Sequence, residues 1–340
     1  MLSATAAGPP GEAEFDAAFA PWARETILLA VSGGPDSTAL AAAAVAWRER
    51  TPGPPLAAAI VDHGLRAGSG AEADAAAARC GALGLPVRRL VWTGEKPAAA
   101  LQERARAARY ALLAQAARDL GAGVVMTAHH ADDQVETILF RLLRGSGPAG
   151  LAGMAARTAR DGVEIARPFL VFPKSRLLAY LAERGLDAAS DPSNDDPRFA
   201  RVRLRALIPA LAREGASPAL FARFARRARR AELALEAAAA ATRRDLARPD
   251  GVDAAALFAA PEEIRLRVLR AMIVEAGGGE PRLDRLEALE ARLAAAWRAG
   301  AGARMTLATT LLELRDGRLA LRAAPPRRGP HAKAVLEKPD

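Results

Sequence analysis

A short apolar run over residues 26–31 ends abruptly at Ser32-Gly33-Gly34-Pro35-Asp36-Ser37 and passes straight into a helical stretch over 38–50. This order constrains the fold more than any other feature. A strand feeding a helix through so tight a turn puts the helix N-terminus at the carboxyl end of a strand, where unpaired N–H groups and the helix dipole favour an anion. Gly33 and Gly34 let the backbone approach a phosphate with no Cβ in the way, and Ser32, Ser37 and Asp36 add two hydroxyls and a carboxylate. The turn lacks the Gly-Lys-Ser/Thr ending of a Walker A loop. Its other reading is a plain Ser/Gly turn that caps a helix.

The unit recurs. Residues 56–61, 87–92 and 124–127 are short apolar runs, with Ala-rich helical segments over 69–84 and 98–120 between them. Strands alternating with helices predict an α/β domain with a parallel sheet covered on both faces. Ser69 and Glu72 stand at capping-box spacing, which predicts a helix start there. The polar segments 32–37, 62–66 and 128–136 all follow strand ends, so they should converge on one cleft.

Past Leu151 the pattern turns hairpin-like or irregular, followed by a helix over 174–184 and a loop at Ser190-Asp191-Pro192-Ser193-Asn194-Asp195-Asp196-Pro197. Long helices are expected over 201–247, and a small helical domain over 251–322 that finishes in strands at 305–314 and 318–321. The expected divisions are a lead over 1–22, a catalytic domain over 23–210, a helical linker over 211–250, a small RNA-contacting domain over 251–323 and a disordered tail over 324–340.

Charge divides the chain as well. Residues 201–340 carry 27 Lys and Arg against 17 Asp and Glu, whereas the first 200 residues are near neutral. Clustered cations predict salt-sensitive attraction to a polyanion. Arg223, Arg226, Arg227 and Arg230 fall on one helical face and are the expected phosphate contacts; a solvated face is the alternative. One cysteine, Cys80, precludes an intramolecular disulfide, and with four histidines it argues against structural zinc. No apolar run approaches bilayer length, so a cytoplasmic protein with no membrane contact is expected.

Ser32–Ser37 resembles the PP-loop of the ATP pyrophosphatase superfamily, whose members split ATP between the α and β phosphates. Further motifs narrow the resemblance. Val61-Asp62-His63-Gly64-Leu65-Arg66, the segment Gln102 to Tyr110, and the block from Thr127 to Thr137 are similar to segments of tRNA(Ile)-lysidine synthases. Arg141 to Met154, Arg167-Pro168, Lys174 and Asp191 to Asn194 continue the match in order. The resemblance implies an adenine nucleotide alpha hydrolase-like PP-loop ATPase domain followed by a smaller, mainly helical C-terminal domain. It also implies ATP-dependent ligation of free lysine to cytidine 34 in the CAU anticodon of tRNA(Ile), with Mg²⁺.

Under that resemblance, Ser32, Gly33, Gly34, Pro35, Asp36, Ser37, Asp62 and His63 bind nucleotide, Asp36 also holds the metal, and Asp36 and Arg109 are catalytic. Asp133 and Glu136 lie three apart on an expected helix, so their carboxylates share a side, with Ile138, Leu139, Leu142 and Leu143 as its buried side. The pair could hold Mg²⁺ or a cationic substrate; the resemblance implies lysine. His129 and His130 could meet nucleotide or simply bond the backbone at a strand end. Gly145-Ser146-Gly147-Pro148-Ala149-Gly150 matches a dinucleotide-binding pattern but follows a helix, so it is read as a loop.

Around Arg201 and Arg203 the chain departs from the family's Arg-Asn-Arg-Ile-Arg, and both are expected RNA contacts only. A PP-loop thiolase or an RNA-binding protein without catalysis are the alternative functions. The oligomeric state is not fixed by the sequence, a homodimer being one option.

Overall fold

The computed structural model describes residues 8–65, 68–93, 96, 101–189, 200–249 and 251–324. The expectations at Arg66, at the loop Ser190 to Pro197, at residues 98–100 and for the tail beyond Ala324 lie outside the described residues. The chain divides into two compact units, Met1–Arg229 and Arg230–Asp340.

In the first unit, α1 (Glu12–Phe19) and a 3₁₀ turn (Ala20–Trp22) precede β1 (Ile27–Ala30) and α2 (Pro35–Arg50). Then follow β2 (Leu56–Asp62), α3 (Ser69–Ala82), β3 (Val87–Val91), α4 (Leu101–Asp119), β4 (Val124–Met126) and α5 (Ala131–Leu142). A short α6 (Pro148–Leu151), the hairpin β5 (Arg157–Arg160) and β6 (Val163–Ala166), α7 (Lys174–Glu183) and α8 (Ala200–Arg213) complete it, and α9 (Pro218–Leu246) runs across the division.

The sheet order is β3-β2-β1-β4-β6-β5, parallel except for the edge strand β5. The chain winds outward from β1 to β3 and then returns to place β4 on the other side of β1. This reversal is the switch point where open α/β sheets bind ligands, beyond the carboxyl ends of the strands. β1 is buried on both faces because its side chains alternate: Leu28 and Ala30 pack with Tyr110 and Leu113 of α4, while Ile27 and Leu29 pack with Leu40 and Ala44 of α2.

The segment before β1 is more than a polar lead. α1 and the turn after it bury Phe15, Phe19 and Trp22, and Phe19 stacks on Trp47 of α2 with ring centroids 5.0 Å apart. Periodicity hides this helix because only two aromatics in eight residues face the core. The capping box expected at Ser69 is not formed: Gly68 is the N-cap, at φ 89°, with no side-chain cap. The Ser69 hydroxyl instead bonds Asp62. Residues 145–147 form a turn after a helix, with no strand before them, and 148–150 belong to α6, so the segment expected as a loop is half helical.

The second unit holds the end of α9, β7 (Ala247–Arg248), β8 (Gly251–Asp253), α10 (Ala254–Ala259), α11 (Glu262–Glu275), α12 (Leu283–Arg298), β9 (Ala303–Leu307), β10 (Thr310–Arg315) and β11 (Arg318–Ala323). Its helices pack on a five-stranded antiparallel sheet of order β7-β8-β11-β10-β9. The apolar run 305–314 is broken by a turn at Ala308 and Thr309, both at positive φ, which yields two strands from one expected strand. Among the described residues no helix is long and apolar enough to cross a membrane.

Phe19→Ala should destabilise the first unit by about 3–5 kcal/mol in denaturant unfolding, as for other fully buried aromatics. A loss below about 1 kcal/mol would show that α1 is not part of the core.

Candidate active site at the sheet switch point

The loop after β1 is held from both ends. The Ser32 N–H donates to Ser37 Oγ at 3.1 Å, the two serine hydroxyls lie 3.1 Å apart, and Ser37 Oγ donates to Gly34 O at 3.0 Å. Gly33 sits at φ 85°, and a Cβ there would come within 3.0 Å of Ala76 Cβ, so glycine is required by both conformation and space. Gly34 is the N-cap of α2 and provides no side-chain cap, and Pro35 follows at the first turn. The leading N–H groups of α2 thus keep their capacity for an external anion.

Across the switch point, the loop after β4 supplies a cluster of charged groups. His130 is the N-cap of α5, and its backbone N–H donates to Asp133 Oδ2 at 3.0 Å. Its ring is buried among three carboxylates: Nε2 lies 3.6 Å from Asp36 Oδ2 and 3.5 Å from Asp133 Oδ2, and Nδ1 lies 3.6 Å from Asp132 Oδ2. Burial alone would push this imidazole toward neutrality. Hydrogen bonds to Asp132 and Asp36 and the charges of Asp133 and Asp36 outweigh it and carry the pKa up to about 9.

Lys174, at the start of α7, adds a second cation 3.4 Å from Asp36 Oδ2, and its backbone N–H donates to Asp132 Oδ2 at 2.7 Å. Burial works to raise the Asp36 pKa, but His130 and Lys174 prevail and hold it below the usual aspartate value. Asp36 Oδ1 is buried without a hydrogen-bond partner. An ionised oxygen left orphaned in this way, beside a phosphate-type loop, fits a cation delivered with a nucleotide. Among the described residues no group of three or more His, Cys, Asp or Glu is arranged to hold a metal alone. Mg²⁺ commonly takes one or two carboxylates and completes its shell with water and substrate phosphate, so Asp36 suits it.

His129, the neighbour of His130, has the opposite charge state. Burial first, then the charges of Arg167, Arg109, Arg106 and Arg201, push its pKa down to about 3, and Nδ1 pairs with Thr127 Oγ1 at 2.8 Å. Arg109 on α4 is half-buried and makes no hydrogen bond or ion pair among the described residues, and its charge is felt by both His63 and His129. A guanidinium without a protein anion is suited to a ligand's anion. His63 stands edge-on to Trp92 with Nδ1 buried and unpartnered. Asp62 is committed to its own turn, accepting from Gly64 N–H at 2.8 Å and from Ser69.

Glu136 departs from the expectation of a free carboxylate. It is buried, and Oε1 accepts from Arg205 Nε of α8 at 2.7 Å. Conversely, Leu142 and Leu143 are 54% and 71% exposed, so the buried side of α5 runs through Val135, Glu136 and Ile138 and stops there. Sequence reasoning missed Asp132, His130 and Lys174 as members of one cluster, although the paired acids after two histidines were a signal. Arg167 is buried and donates to Ala155 O at 2.8 Å and Thr158 Oγ1 at 3.1 Å, bracing the strands behind the site.

Removing the cation from the Glu136–Arg205 pair should strand a buried carboxylate. Arg205→Ala should cost about 1–3 kcal/mol, discounted from a fully buried pair because the Arg205 side chain is 48% exposed. With Glu136→Gln in place, the same substitution should cost less than about 1 kcal/mol. Equal costs in both backgrounds would show that the two groups are uncoupled.

Residues 9–211 match the PP-loop domain family model. The tRNA(Ile)-lysidine synthase of Methylobacterium sp. strain 4-46 is 51% identical over 312 residues, which cover 89% of this chain and 90% of that protein. The tRNA(Ile)-lysidine synthase of Rhodopseudomonas palustris is 49% identical, covering 92% of this chain and 94% of that one. Among solved structures, a U34-tRNA thiolase from Methanococcus maripaludis with its [4Fe-4S] cluster shares the fold at a TM-score of 0.54 and 16% identity, covering 63% of this chain and 78% of that one. A parallel sheet with a phosphate-type loop at its switch point, the matched PP-loop domain and two relatives near half identity along nine-tenths of the chain agree: the chain belongs to the tRNA(Ile)-lysidine synthase family of PP-loop proteins.

Proposed function

We propose that this chain uses ATP to join free lysine to C2 of cytidine 34 in the CAU anticodon of tRNA(Ile), releasing AMP and pyrophosphate. The observation that carries the reading is the meeting of the Ser32–Ser37 loop with the charged cluster of Asp36, His130, Asp132, Asp133 and Lys174 at one switch point. An anion site and a carboxylate site stand side by side, as a reaction between a nucleoside triphosphate and an amino acid requires.

In this reading the ATP phosphates lie against Ser32, Gly33, Gly34, Pro35 and Ser37 and the leading turn of α2, with Asp62 and His63 shaping the adjoining edge. The C2 oxygen of the cytidine attacks the α-phosphorus, and pyrophosphate departs. Arg109 faces the charge that develops on the α-phosphate, where its planar donor fork is effective because no carboxylate among the described residues competes for it. Mg²⁺, when bound, would be held by Asp36 and would offset the charge of the leaving pyrophosphate.

The ε-amine of lysine then attacks C2 and AMP leaves. Lysine's ammonium must first lose a proton, at a cost of about 4–5 kcal/mol at neutral pH, so a carboxylate at the site serves as acceptor. Asp133 is 20% exposed; its Oδ2 accepts the His130 backbone N–H at 3.0 Å and has the His130 ring at 3.5 Å, but no Arg or Lys pairs with it among the described residues, which makes it the better placed of the expected lysine-binding pair. Glu136 shares in lysine binding only if Arg205 yields it.

The RNA would be drawn by the basic half, with Arg201, Arg203 and the helical face of Arg223, Arg226, Arg227 and Arg230 as phosphate contacts. Those four α9 residues are all exposed, and none has an ion pair among the described residues. An iron–sulfur cluster is held by cysteine thiolates, and Cys80 is this chain's only cysteine and is buried, which favours ligation over cluster-dependent thiolation.

Radiolabelled lysine, ATP and Mg²⁺ should label an unmodified tRNA(Ile) transcript but not one with uridine at position 34; label in neither would refute the ligation. Asp133→Asn should raise the lysine KM at least about tenfold while leaving the pyrophosphate-forming step on ATP and transcript largely intact. An unchanged lysine KM would remove Asp133 from the lysine site.

A further inference from the structure

Two of the clefts among the described residues stand apart from the switch point. One, of about 250 Å³ in the first unit, is bordered by Arg50 and Arg184, but Glu12, Asp16 and Glu183 pair with these arginines and leave no cationic excess. The other, of about 530 Å³, lies wholly within the second unit, between the last turn of α9, the β7–β8 hairpin, α11 and the end of β11. Its lining includes Ala240, Arg243, Arg244, Arg248, Met272 and Leu321.

The charges in this second cleft are unequally answered. Arg243 is taken by Glu275. Arg248 donates to the carbonyls of Asp245 at 3.1 Å and Ala247 at 2.8 Å, closing the helix end, with Asp253 at 3.7 Å. Arg244 is exposed and has no partner among the described residues. The apolar part is no isolated patch: Met272 and Leu321 are half-buried and pack against the core of this unit. The hairpin wall is also fixed, because Gly251 at φ 143° lies so close to β11 that a Cβ would come within 2.5 Å of Leu319 O.

A cleft within the usual ligand-site range, apolar at its base and guanidinium-edged, fits a flat heterocycle joined to a phosphate. A base-paired nucleotide cannot enter it, whereas an unpaired one can leave the stack and lay its base on apolar or guanidinium surface. We propose that this cleft takes one unpaired nucleotide of the RNA substrate, its base against Met272 and Leu321 and its phosphate on Arg244. The inference rests on the RNA-acting function proposed above and adds a grip on a nucleotide other than the one that reacts.

The test uses the full chain and two substitutions at exposed positions, Arg244→Glu, which reverses the free cation, and Ala240→Trp, which plugs the cleft without entering the core. Filter binding is measured with the unmodified tRNA(Ile) transcript and with a blunt RNA duplex that has no unpaired nucleotide, and calorimetry with UMP. Each variant should weaken transcript affinity about tenfold, and Ala240→Trp should leave duplex affinity unchanged. Loss of UMP binding with transcript affinity intact would keep the site and assign it to a free nucleotide. Unchanged affinities for all three probes would overturn the proposal, as would an effect of Arg244→Glu without one of Ala240→Trp. Lysine labelling by the unsubstituted protein reports separately on the enzymatic reading: its failure would leave the transcript-against-duplex difference to judge the cleft.

Discussion

The site depends on one buried imidazole placed among three carboxylates. Asp36 belongs to the first turn of α2 after β1, Asp132 and Asp133 to the start of α5 after β4, and His130 lies within 3.6 Å of all three. Without a cation between them, three acids so close would repel one another, and burial would favour their protonation. With His130 charged and Lys174 added from α7, Asp36 stays ionised and keeps one oxygen unpartnered. The cluster is at once an electrostatic clasp between two segments and a reserve of negative charge facing a phosphate-type turn.

Sheet topology makes the clasp available. Because β4 returns to pair with β1, the two loops emerge side by side, and α7 follows the β5–β6 hairpin to deliver Lys174 to the same point. Packing on both faces of β1 fixes where the loop begins, and α1 reinforces α2 from outside through Phe19 and Trp47. Arg109 reaches the region from α4, on the opposite face of the sheet from α2. Helices on both faces of the sheet thus contribute charge to one edge.

Much of this was legible in the sequence wherever a local pattern determines structure. The alternation of apolar runs and Ala-rich helices gave the parallel sheet, and the Ser/Gly turn marked its switch point. What escaped was decided by contacts distant in sequence. Glu136 reads as a surface acid beside Asp133, but the approach of α8 buries it against Arg205. Leu142 and Leu143 carry the helical period of a core face, yet α5 outruns its neighbours and exposes them. His130 could not be told from His129 by any local rule, since their opposite charge states arise from Asp36 on one side and a group of arginines on the other. The second unit's first strands, β7 and β8, are too short to show periodicity and are recognised only by pairing with each other and β11.

The most direct test of the clasp is a titration of His130 by nitrogen-15 NMR of the imidazole in the whole protein, assigned by a His130→Gln variant. The account predicts an imidazolium that loses its proton only near pH 9, while His129 stays neutral down to about pH 3. A His130 pKa at or below the ordinary 6.5 would mean that the three carboxylates are not held by a cation, and the organisation of the site described above would be wrong.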